Sequence, residues 1–221
     1  MDDRQLLDAG TTPSDAAIAR IESEFREGFR LVSKIDRPAV SVFGSARMHS
    51  ADPDYTRAME VGAAFARAGW AVITGGGPGA MEAANRGAQE SGGLSVGLGI
   101  DLPHEQKLNQ WLNLSYSFEH FYARKVCFVK PAEGFVVLPG GFGTLDEMFE
   151  AVTLIQTVKV AMFPVVLIDS GYWRGLIEWL RDTVLATGKI SPTDLDLLQV
   201  VDDPDEAVRI VLEQYARKTA A

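Results

Sequence analysis

The feature that most constrains this chain is a regular alternation of short apolar runs with longer stretches of helical periodicity. The runs are AVSVFG (39–44), WAVITG (70–75), LSVGLGI (94–100), FVVLPG (135–140) and FPVVLID (163–169), with a weaker LLQVV (197–201) near the end. Each is apolar on consecutive positions, which suits a strand covered on both faces. Helical patterns fill the intervals at about 54–68, 80–91, 118–130, 144–159, 172–187 and 204–217. Strands alternating with helices build βαβ units, so the expected fold is α/β, a Rossmann-like doubly wound parallel sheet with helices on both faces.

Ahead of the first run, residues 14–34 carry Ile18, Ile21, Phe25, Phe29 and Val32 three or four positions apart. That is one face of a helix, which must pack on the domain or on another subunit. The expected organisation is an N-terminal helical extension, 1–37, followed by a single Rossmann-like domain, 38–221, a length one core can serve. Residues 101–117, with Pro103 and little periodicity, read as the longest irregular connection, and loops of that length in compact domains are often functional.

Composition removes several function classes. The longest stretch without Asp, Glu, Lys or Arg, 68–81, contains five glycines and a proline, where a membrane helix needs roughly 20 mostly apolar residues. The opening MDDRQLLDAG is acidic and has no apolar core, so it does not read as a secretory signal, and a cytoplasmic site of action is expected. Cys127, the single cysteine, rules out an intrachain disulfide and reads as a small buried apolar residue. His49, His104 and His120 have no ligand spacing, and neither a metal nor a cofactor is expected. The formal charge of −9 argues against nucleic acid as a partner, so an anionic ligand must be held by local chemistry.

Two glycine-rich turns supply such chemistry: Gly75-Gly76-Gly77-Pro78-Gly79-Ala80-Met81 after one run and Pro139-Gly140-Gly141-Phe142-Gly143-Thr144 after another. In a parallel sheet these turns gather beyond the carboxyl ends of the strands, where ligands bind. Glycine exposes backbone N–H groups, and a helix N-terminus favours phosphate. Either turn alone is also explained by tight packing; together they point to a phosphorylated ligand, a nucleotide. Gly75, Gly77 and Ala80, with Asp101 about 20 residues on, also satisfy a G-x-G-x-x-A dinucleotide fingerprint, which leaves a nicotinamide enzyme as an alternative. That fingerprint belongs to the first strand–helix turn, however, and this turn follows the second run.

Three charged residues stand out. In 118–130, an apolar stripe of Phe118, Phe121, Tyr122, Phe128 and Val129 has Lys125 at its middle and Arg124 at its edge. Such cations either snorkel to solvent or reach an anionic ligand. Thr144-Leu145-Asp146-Glu147 reads as a capping box with Thr144 as N-cap and Glu147 at N3. Beside a phosphate turn, the same Glu147 could instead face a ribose and stabilise an oxocarbenium-like transition state or orient water, with Glu150 a weaker candidate.

The run LPGGFGTLDE (138–147), with GGGPGAMEAANRGA (75–88) and ARK (123–125), closely resembles the Lonely Guy family of cytokinin riboside 5′-monophosphate phosphoribohydrolases, whose hallmark is P-G-G-x-G-T-x-x-E. The likeness covers about 39–201. It implies hydrolysis of the N-glycosidic bond of an adenosine 5′-monophosphate-type nucleotide, N6-modified forms included, to free base and ribose 5-phosphate. It also implies a homodimer or higher homo-oligomer with sites near the subunit interface. By the same resemblance, Glu147 and Arg124 match the catalytic pair; Gly140, Gly141, Gly143 and Thr144 match the phosphate-binding turn; and Gly76, Gly77, Gly79, Met81 and Lys125 would contribute to substrate binding. The N-terminal helix extends beyond the family's short form. A nucleotide or cofactor carrier of the same superfamily would share the glycine turns and lack turnover. A pyridoxal-phosphate decarboxylase is disfavoured, since no lysine sits in an evident Schiff-base setting.

Overall fold

The computed structural model describes residues 15–102 and 107–220. Seven strands form one parallel sheet: β1 (Ala39–Phe43), β2 (Ala71–Thr74), β3 (Leu94–Ile100), β4 (Leu114–Phe118), β5 (Ala132–Val137), β6 (Val165–Ile168) and β7 (Leu198–Val201). Their spatial order is β4-β3-β2-β1-β5-β6-β7. Every pairing is parallel. The consecutive apolar residues are explained by this arrangement, because all residues of β1, β2 and β6 are buried against helices on both faces.

One face is covered by α2 (Pro53–Arg67), α3 (Ala80–Glu90) and α8 (Pro204–Ala220), whose side chains share a core with Val40, Val72 and Val166. The other face is covered by α1 (Asp15–Val32), α4 (Phe121–Val129), α5 (Phe142–Gln156) and α6 (Ser170–Trp179), around Phe43, Phe128, Phe135, Met148 and Trp173. A π-helical segment, Leu180–Leu185, continues α6, and a short α7 (Pro192–Leu195) precedes β7. No helix among the described residues is long and apolar enough to cross a membrane.

Two expectations need correction. The segment read as an irregular connection, 101–117, ends in an edge strand: β4 pairs with β3 from Val96↔Leu114 to Ile100↔Phe118. Its sequence LSYSF alternates, with the serines more exposed than their neighbours, and so lacks the continuous apolar signature of an interior strand. Phe118 accordingly ends a strand, and the helix expected from 118 begins at Phe121. Pro103 and His104 lie outside the described residues.

The N-terminal helix packs along α4 and β4, but on a face centred on Glu24, Gly28, Leu31 and Val32; of the apolar stripe expected to pack, only Val32 is buried, and Ile18 and Phe29 stay exposed. Gly28 permits a close approach, since a Cβ there would stand 2.7 Å from the Cys127 sulfur and 3.0 Å from the Phe118 ring. Cys127 is fully buried, and burial pushes its thiol up to about 11. At the start of α4, the buried Glu24 carboxylate of α1 accepts the Glu119 N–H and meets His120 Nδ1 at 2.8 Å. Helix α4 has no side-chain cap; the Glu24 carboxylate instead fixes Glu119 and His120, the two residues that lead into it.

Candidate active site

The strand order reverses between β1 and β5, and the turns leaving these two strands open a crevice of the kind that binds ligands in doubly wound sheets. Three turns meet there. Ser45, just after β1, donates its N–H to the Pro139 carbonyl at 3.0 Å and accepts the Ala80 N–H at 3.0 Å. It thereby ties the two glycine turns into one rim.

The glycines of the two turns do different work. In the first, Gly76 and Gly79 have φ of +70° and +67°, and a Cβ on Gly79 would collide with the Ser45 carbonyl. Gly77 and Gly75 leave room for the Met81 side chain, and Gly75 also for the Arg124 guanidinium. The Gly76 N–H is already taken by Thr74 Oγ1 at 2.9 Å, and Asn109 Nδ2 donates to the carbonyls of Gly76 and Gly77 at 3.1 and 3.0 Å. Packing thus accounts for most of the first turn.

The second turn is different. Gly140 is required because the Thr144 side chain lies against it, whereas a Cβ on Gly141 or Gly143 would meet nothing within 4 Å. The N–H groups of Gly141, Phe142 and Gly143 have no acceptor among the described residues and open the first turn of α5. Glycines without a steric reason, beside uncommitted donors at a helix N-terminus, constitute an anion cradle.

Helix α5 begins at Phe142 with Gly141 as N-cap and no side-chain cap bond, which overturns the capping-box expectation. Thr144 sits two residues inside the helix and Glu147 well into the second turn, too far along to return a bond to the N-cap. The helix starts three residues before the position the capping pattern implies, with Gly141 in extended geometry at its entry. Glu147 instead projects into the cleft, 5% exposed, with Oε2 lacking a hydrogen-bond partner among the described residues. Burial raises its carboxyl to about 7, against the opposing attraction of Lys125 and Arg124.

Arg124 reaches the same cleft from α4, its Nε donating to the Leu98 carbonyl at 2.7 Å and its guanidinium lying 4.9 Å from the Phe128 ring centre. Lys125 turns the other way. Its Nζ lies 2.8 Å from both Asp146 and Glu150 and 3.7 Å from Glu147 Oε1. Burial alone would lower the Lys125 pKa, and hydrogen bonds to Asp146 and Glu150 overcome it and hold it raised. This lysine therefore reaches neither solvent alone nor the cleft; it neutralises the acidic flank of α5.

The cleft has a volume of about 560 Å³ and brings together Met81, Arg124, Gly141, Gly143, Thr144 and Glu147. Gly76 and Gly77 line a smaller adjoining hollow of about 220 Å³ that also includes Asp101, Met81 and Arg124. Gly79 and Gly140 shape the rim, and Lys125 lines a separate groove on α5. Sequence reasoning missed the turn after β1, where Gly44, Ser45, Ala46 and Arg47 form one cleft wall, and the aromatic lining of Phe43, Phe121 and Phe128. Small residues directly after the first strand were the available signal. The dinucleotide fingerprint, by contrast, lies at β2, one strand away from the switch point.

A parallel sheet with its crevice at the switch point, uncommitted N–H groups at one helix N-terminus and a buried carboxyl in the same cleft define a Rossmann-like α/β protein with a candidate anion-binding site. Residues 81–211 match the family model described as possible lysine decarboxylase. The chain is 37% identical over 155 residues to a cytokinin riboside 5′-monophosphate phosphoribohydrolase of Mycobacterium tuberculosis, covering 69% of this chain and 82% of that protein. It is 35% identical over 151 residues to the protein of the same description from Mycobacterium marinum, covering 67% and 80%. Among solved structures, the molybdenum cofactor carrier protein of Chlamydomonas reinhardtii superposes with a TM-score of 0.63 at 24% identity, over 81% of this chain and 99% of that one, a likeness of fold. The chain belongs to the Lonely Guy family, whose model carries the older decarboxylase description.

Proposed function

We propose that this protein is a phosphoribohydrolase that cleaves the N-glycosidic bond of adenosine 5′-monophosphate-type nucleotides, cytokinin riboside monophosphates included, to free base and ribose 5-phosphate. The observation that carries the reading is Glu147, a buried carboxyl with one unpartnered oxygen, in the same cleft as an anion cradle. A 5′-phosphate on the N–H groups of Gly141 to Gly143 and on Thr144 brings the ribose towards Glu147. As the C1′–N bond breaks, the electron pair leaves with the base, which takes a proton from solvent. Ionised Glu147 opposes the positive charge developing on the sugar and accepts a proton from the water that adds to C1′. Arg124 borders the reacting region and attracts the Glu147 charge, favouring the ionised form.

The names of the two mycobacterial relatives support the same reading. Assembly as a homodimer or larger oligomer belongs to the proposal. It is supported by apolar side chains beside the cleft that are part-exposed, Phe121, Tyr122 and Val126, and by Phe142, which is 92% exposed.

The test is incubation with adenosine 5′-monophosphate, its N6-isopentenyl analogue and the matching nucleosides, with released base measured by chromatography. Release from the monophosphates alone is expected. Equal cleavage of the nucleosides sinks the phosphate cradle, and nucleotide binding without base release makes the protein a carrier.

A further inference from the structure

Tyr172, on α6, lies outside both hollows and was assigned no role by sequence, yet its hydroxyl donates to the Gly140 carbonyl at 2.7 Å. No cis peptide occurs among the described residues, so the Gly140–Gly141 unit is trans and its C=O and N–H point to opposite sides of the chain. Holding the carbonyl towards α6 turns the Gly141 N–H away from α6, on the side where Gly141 lines the cleft. Gly141 has no Cβ contact within 4 Å to resist rotation of this peptide.

The tyrosine is itself held in place. Asp169, at the end of β6, accepts the Tyr172 N–H at 3.0 Å and ion-pairs with Arg57 at 3.5 Å. Asp169 adopts φ +88°, a conformation a non-glycine residue rarely takes, and such strain persists only where surrounding contacts enforce it. Packing of the Tyr172 ring on Trp173, 4.9 Å between centres, completes the support.

We infer that Tyr172 is a positioning residue that locks the Gly140–Gly141 peptide with its N–H presented to the 5′-phosphate of the substrate. The inference rests on the phosphate cradle of the proposed function. It makes α6, an element that does not line the cleft, a determinant of phosphate selectivity.

Tyr172→Phe removes only the hydroxyl and keeps the ring packing. Calorimetry with ribose 5-phosphate, which the enzyme does not consume, and with adenosine as the phosphate-free control measures the effect, alongside KM and kcat for adenosine 5′-monophosphate. Expected is a loss of ribose 5-phosphate affinity of about 5–20-fold, the scale of one hydrogen bond, with a matching rise in KM, kcat within about threefold and adenosine binding unchanged. A structural defect would weaken both ligands. Unchanged ribose 5-phosphate affinity, equal losses for the two ligands, or a parent protein that binds no phosphorylated ligand would each overturn the inference. A phosphate-selective loss in a protein that releases no base supports the role of Tyr172 and rejects hydrolysis, so the two readings fail separately.

Discussion

Glu147 shows how a single carboxyl couples stability to chemistry. Its pKa is raised from 4.5 to about 7 by burial, so between those values the folded state holds a proton that the unfolded state releases. Stability contributed by the protonated carboxyl is therefore present below about pH 4.5 and lost as pH rises through 7, a cost of about 3 kcal/mol by the shift. Glu147→Gln removes this penalty. Compared with the parent, the variant should gain thermal stability at pH 8 relative to pH 5, by up to about 3 kcal/mol, less whatever the glutamine forfeits with Lys125. Base release should meanwhile fall by about 10²–10⁴-fold, with a smaller effect on nucleotide binding. Melting curves at the two pH values and single-turnover rates check both halves. If ionised Glu147 is the working form, kcat/KM should decline below a pH near 7, the protonated side of this titration.

At the scale of elements, the N-terminus of α5 and the clamp of α1 on α4 make opposite demands. Gly141 has φ −86° and open space, so Gly141→Ala should fold with a stability loss of at most about 1 kcal/mol while a methyl group enters the anion cradle. Gly140→Ala would drive a Cβ into Thr144 and should cost about 1–3 kcal/mol by overpacking. Denaturant melts beside ribose 5-phosphate titrations separate these cases: the first variant loses binding with its fold intact, the second loses both. For the clamp, Glu24→Ala removes the carboxylate that accepts the Glu119 N–H and meets the buried His120 ring. A destabilisation of about 1–3 kcal/mol is expected in urea unfolding, since the Glu119 N–H loses its acceptor and the His120 ring a charged partner.

For the whole molecule, the three-layer sandwich exposes several large apolar side chains, and one group of them lies where α4 and the start of α5 flank the cleft. Phe142 is the most exposed large apolar side chain there, at 92%. Sedimentation should show an oligomer for the parent protein, and Phe142→Glu should shift it towards monomer, because a charge desolvated in an apolar contact is costly. A parent protein that sediments as a monomer at micromolar concentration would count against oligomeric assembly.

What the sequence by itself determined is what short-range physics controls. Continuous apolar runs specified five interior strands and β7 emerged from a weaker run, because burial on both faces leaves no choice of residue. The spacing of Ile18, Ile21, Phe25, Phe29 and Val32 specified α1. The glycine turns marked the sheet edge at which the cleft and its adjoining hollow open. Edge strand β4 was illegible, since a strand with a wetter face resembles a loop when its partner is unknown. Thr144 and Glu147 carried a local capping pattern that the longer helix did not use. Only the tertiary structure decided which glycines serve packing and which face open space, because that depends on atoms from Ser45, Met81 and Arg124 brought in from other turns. It also separated neighbours: Arg124 enters the cleft and Lys125 joins the carboxylates of α5, since adjacent helix positions point about 100° apart and meet different partners.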